Sequence, residues 1–117
     1  MIELILNLDG VDGEPKNLID RWIFEQVLLR IPGIEQREAD RYFYLQSKLG
    51  MAIEIDTDEG ARFGSIYLSA SSENLPEARN KALALARYLA KELRLKILNP
   101  SEGAEYNPDD LPDDENW

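Results

Sequence analysis

The chain reads as an α+β protein: a two-layer sandwich with two helices on one face of a five-stranded antiparallel or mixed sheet, in the order β-α-β-β-β-α-β. Three observations predict this. Residues 1–8 alternate, with Ile2, Leu4, Leu6 and Leu8 on one side and Glu3, Ile5 and Asn7 on the other, as a half-buried strand does. Leu75, Ala78, Ala82, Leu85, Ala86, Leu89 and Leu93 recur at three- and four-residue spacing and line one stripe of a long helix. Between these lie three alternating runs joined by connections short enough for hairpins, which predicts an antiparallel meander.

In chain order, the first strand runs into Asp9-Gly-Val-Asp-Gly-Glu-Pro15, rich in turn formers, with Pro15 suited to a first helical turn. A helix is expected over about residues 15–31, halted by Ile31-Pro32-Gly33. It carries more apolar residues than one sheet can bury. Leu18, Trp22 and Leu29 share one side with Ile19 and Ile23 beside them, while Phe24, Leu28 and Ile31 point away. The excess calls for the second helix, the C-terminal segment or another protomer as cover. Residues 34–40 read as a charged linker. The meander follows at 41–46, 51–56 and 63–70, with Phe43, Leu45, Ile53, Ile55, Ile66 and Leu68 expected inward. Asn74 is a suitable N-cap, Pro76 falls in the first turn, and Glu77 occupies the capping-box position of the long helix. A short last strand is expected near 95–98.

At 117 residues this is one domain, placed at 1–98, followed by an acidic tail at 99–117. The body carries 16 acidic and 13 basic side chains, and the tail 7 acidic and no basic ones, within a net charge of −10. No positive field exists to displace counterions from a phosphate backbone, so nucleic acid is not an expected partner. No apolar run approaches the roughly 20 residues of a membrane-spanning helix, and no basic-then-apolar leader opens the sequence. Without cysteine the chain leans towards a reducing compartment, and cytoplasmic is the expectation.

The absence of both histidine and cysteine removes imidazole- and thiol-based catalysis and zinc sites built on those ligands. No phosphate-binding glycine loop or nucleophile elbow is present. The expectation is therefore no catalytic residues, no resident metal and no cofactor. The alternative is a small carboxylate-dependent enzyme or a divalent-metal-binding protein using the acidic loops Asp9, Asp12, Glu14 and Asp56, Asp58, Glu59. Its second loop has no glutamate where a twelfth EF-hand ligand belongs.

Candidate partner-binding residues come from two places. Tyr42, Tyr44 and Tyr67, with Glu54, fall on the polar side of their strands and are expected to share the outer sheet face, where tyrosine provides rigid contact area with a polar tip. Tyr106, Leu111 and Trp117 are the large apolar anchors of the tail, expected to dock in grooves left by the over-apolar first helix, in this protomer or a neighbour. The function expected is a non-catalytic protein-interaction module, of the kind of a small bacterial accessory, inhibitor or immunity-type protein. Its partner is a basic protein or a second copy in a homodimer, with no nucleic acid and no membrane.

Overall fold

Alternation and helical spacing resolve into one large sheet carrying two helices in a computed structural model, which describes residues 2–10, 18–46, 51–72 and 75–112. The elements are β1 (Ile2–Gly10), β2 (Ile19–Asp20), α1 (Arg21–Leu28), β3 (Ile34–Glu38), β4 (Arg41–Gln46), β5 (Met51–Thr57), β6 (Arg62–Phe63), β7 (Ser65–Ser72), α2 (Leu75–Leu93), β8 (Leu95–Asn99) and β9 (Ala104–Tyr106), followed by a 3-10 turn at Pro108–Asp110. Sheet order is β3-β4-β5-β7-β1-β8-β9, and every neighbouring pair is antiparallel. Among the described residues the sheet thus has seven strands where five were expected, and of the two expected forms, antiparallel or mixed, it takes the antiparallel one.

The two additional strands come from segments whose composition hid them. Ile34–Glu38, expected as a charged linker, pairs with β4 as an edge strand. Its charges suit an edge, where they oppose pairing with other chains. Ala104–Tyr106, expected within the tail, pairs with β8. Asn99 makes that hairpin: its side-chain oxygen accepts from the backbone of Ser101 and Glu102, and its amide donates to the Tyr106 hydroxyl at 3.0 Å.

Strands β7 and β8 both run antiparallel to β1, which lies between them. They are therefore parallel to each other, and α2 is the crossover that parallel strands require. Arg94 alone links α2 to β8, at a φ of +56°, in the left-handed geometry that ends many helices. Gly33, at a φ of +93°, makes the corresponding turn from α1 into β3. A side chain there would also press on the Tyr44 ring.

Helix α1 is shorter than the expected span of 15–31. Asp20 caps it, its carboxylate accepting from the backbone of Trp22 at 2.9 Å and of Ile23 at 3.3 Å. Just before it, Ile19–Asp20 pairs with Arg62–Phe63 as a two-stranded ribbon, so residues 19–20 are extended. Residues 15–17 and Asn74, the expected N-cap, lie outside the described residues. Arg21 then ties this corner together. Its guanidinium donates to the carbonyls of Gly60, Asp58 and Ala39 and to the Thr57 hydroxyl, and stacks over Phe63 at 4.7 Å.

The core lies between one sheet face and the helices. Leu6, Leu8, Ile53, Ile55, Ile66, Leu68 and Ile97 meet Leu85, Ala86 and Leu89 of α2, and Phe24, Val27 and Leu28 of α1. The α1 residues that pack are thus the group expected to point away, and Leu18, Trp22, Ile23 and Leu29 stay exposed.

Candidate partner-binding surface

Among the described residues no helix covers the opposite sheet face. Antiparallel register sorts its residues into two long rows, because directly paired residues share a face. One row runs Ile5, Ser69, Glu54, Phe43, Glu35. The next runs Leu98, Asn7, Tyr67, Asp56, Arg41, Glu38. Rings stand next to carboxylates in both, Phe43 between Glu54 and Glu35 in the first and Tyr67 beside Asp56 in the second.

Arg41 is the hub of the charged part. Its Nε lies 3.1 Å from Asp56 Oδ1 and 3.7 Å from Glu54 Oε1, and a terminal nitrogen lies 3.5 Å from Glu38. The hydrogen bond to Asp56 and the surrounding carboxylates raise its pKa further. Partial burial, and then the neighbouring Asp56, push the Glu54 carboxyl above the usual carboxylate range. Tyr67 donates to Asp58 at 3.0 Å, and its hydroxyl is pushed up by burial first and by that carboxylate second. At the β1 side, Ser65 donates to Asp9 at 2.6 Å. Arg37 lies over the Phe43 ring at 5.1 Å and pairs with Glu35. Three carboxylates around one guanidinium leave this part of the face acidic.

Of the residues expected on this surface, Glu54 and Tyr67 are on it, and Tyr42 and Tyr44 are not. Tyr42 pairs with Ile55 and Tyr44 with Ile53, which places both tyrosines on the covered face at 0% and 1% exposure. The shared three-tyrosine surface is therefore corrected to Tyr67 with Phe43 and Leu45. In RYFYLQ both alternating sets carry large rings, so the local pattern is nearly symmetric. Pairing with β5 decides it, because Ile53 and Ile55 must be buried and pull their partners with them. Tyrosine tolerates the core because its tip finds partners: Tyr42 donates to Glu25 at 2.7 Å, beside Arg21.

The tail anchors also fall elsewhere. Tyr106 sits on β9, partly buried against the core, and donates to Glu102. Leu111 packs against the core too, held where Arg87 of α2 donates to the carbonyls of Pro108 at 2.8 Å and Leu111 at 3.1 Å. Lys91 pairs with Asp109 at 2.6 Å. The segment docks on α2 and not beside α1. Trp117 lies outside the described residues, as do Asp12 and Glu14 of the first acidic loop.

Among the described residues no three carboxylates are placed to hold a metal ion. Asp56 turns to Arg41 and Asp58 to Tyr67, so the second acidic loop spends its carboxylates on different partners. No described helix is long and apolar enough to cross a membrane. The chain matches no family model, no curated protein and no solved structure.

Sequence reasoning missed Arg41, Phe43 and Asp56 as members of this surface. Their signal was present as strict alternation with Glu54 and Tyr67 once the register is known.

Proposed function

We propose that the protein is a non-catalytic interaction module whose open sheet face receives a basic protein partner, in the manner of a small accessory, inhibitor or immunity-type protein. The observation that carries this reading is the juxtaposition of Phe43, Tyr67 and Ile5 with Glu35, Glu54 and Asp56 on one sheet face that no described helix covers. The rings offer flat contact area, and the carboxylates select the charge of what settles on them. Steering by such a face acts over about 8 Å at physiological ionic strength, so the complex weakens as salt rises.

The Glu54–Asp56 pair, with the Glu54 carboxyl shifted upward, supports a second reading as a carboxylate-dependent enzyme or cation site. The first reading is preferred because Arg41 holds both carboxylates of that pair in ion pairs on an open surface, and the two described cavities, of about 520 and 450 Å³, are lined by other residues.

The test is capture at low salt, with the wild type and the Glu54→Lys/Asp56→Lys variant immobilised side by side. Wild type is expected to retain basic proteins that elute with salt, and the variant to lose them. Equal retention by both, or hydrolytic activity abolished by Glu54→Gln, overturns the reading.

A further inference from the structure

A second surface differs from the sheet face in kind. On α1 and at its two ends, Trp22 is 70% exposed, Leu18 58%, Ile23 49% and Leu29 47%. Taking roughly 200 Å² for a large side chain, this is on the order of 400 Å² of apolar surface. That lies within the range of the largest patch a monomer shows, which is often a functional one. Leu18 and Ile23 also line a groove of about 520 Å³ that reaches Leu93 and Leu95.

The charge on this patch identifies its occupant. The exposed stripe of α1 is Trp22, Gln26 and Leu29, at spacings of four and three. Glu25 is turned inward to Tyr42. Asp20 spends its carboxylate on the helix N-terminus, and Arg30 stands at the other end. The patch is therefore close to neutral on a chain of net charge −10. Among the described residues its charges balance, Asp20 and Glu92 against Arg30 and Arg94, so it is a place where two copies meet without the repulsion they feel elsewhere.

We propose that α1 is a self-association surface, on which two copies pack antiparallel about a twofold axis at Gln26. An isologous contact requires that whatever lies on the axis complement itself. A side-chain amide does, because it both donates and accepts, whereas two carboxylates or two ammonium groups repel. Antiparallel packing about that point sets Trp22 of each copy against Leu29 of the other, and brings each Arg30 towards the indole and Asp20 across the interface. The pair leaves both acidic sheet faces open, so self-association and binding of a basic partner are independent.

The experiment measures the mass of the full chain by sedimentation equilibrium from about 1 to 500 µM, the range of weak to moderate dimers. A concentration-dependent dimer is expected, and Trp22→Ser should raise its Kd at least tenfold while leaving the circular dichroism melt intact. Gln26→Glu and Gln26→Lys should each dissociate alone and recombine into a mixed dimer when combined, read by native mass spectrometry. That pair carries the test if Trp22→Ser fails to fold. A monomer throughout this range, a dimer indifferent to both positions, or a monomer that binds a different protein through Trp22 overturns the proposal.

Discussion

The two faces of the sheet are built from the same strands, and on β4 from almost the same residue types, yet they do opposite work. On β4, Tyr42 and Tyr44 are buried, Tyr42 against Phe24 of α1, while Phe43 and Leu45, one step along, lie on the other face. The covered face is held by apolar packing and edge-to-face rings, with Phe24 centred 5.4 Å from both Tyr42 and Phe63. The open face is held by pairs that water can reach, Arg41 with its carboxylates and Arg37 with Glu35. The difference teaches that residue type does not assign a face on β4. What lies opposite does.

The sharpest way to break this comparison is to truncate one ring on each side. Tyr44→Ala should destabilise by about 3–5 kcal/mol, as loss of a buried ring does, and on a domain worth only about 5–15 kcal/mol. Phe43→Ala should cost about 1 kcal/mol or less, the scale of a cross-strand contact at a half-exposed site. Urea titration of both variants checks it, and equal costs would mean the faces are not distinct.

A smaller effect separates the faces by pH. Burial first, and the bond to Glu25 second, push the Tyr42 hydroxyl up to about 12. In the unfolded chain a tyrosine ionises near 10. Between those values the folded state keeps a proton that the unfolded state has lost, so stability is full below about pH 10 and falls as pH rises towards 12. The loss attributable to Tyr42 is about 2 kcal/mol. Tyr42→Phe should flatten that part of the profile, leaving the contributions of Tyr67 and Tyr88, which are shifted the same way.

The smallest effect on stability belongs to Arg41. Because its pairs are exposed, Arg41→Ala should leave the melting midpoint nearly unchanged. It should nevertheless tighten binding of a cationic protein, since the carboxylates lose their internal counter-charge. A drop in that affinity would mean that Arg41 contacts the partner itself.

Much of the scaffold was legible in the order of residues. The stripe of α2, the alternation of β1 and the hairpins of β4, β5 and β7 each satisfy a local period, and local periods are visible in one dimension. The edge strands were not legible, because IEQRE and AEY lack the apolar alternation of a half-buried strand. They enter the sheet because a neighbour offers unpaired backbone groups. The candidate surface was half legible: Glu54 and Tyr67 carried a polar-side signal that holds, and Tyr42 and Tyr44 carried the same signal and were buried.

The sequence by itself determined the α+β class, the helix-on-sheet layering, the acidic excess and the exclusion of histidine and cysteine chemistry. These follow from period and composition, which no fold can alter. Only the tertiary structure decided the number of strands, the face each ring of β4 takes, the docking of the 104–112 segment on α2 and the exposure of Trp22 on α1. Each of these depends on which distant residue lies opposite. A one-residue change of register exchanges the inner and outer sets of a whole strand, and that choice is settled by the partner strand rather than by the strand itself.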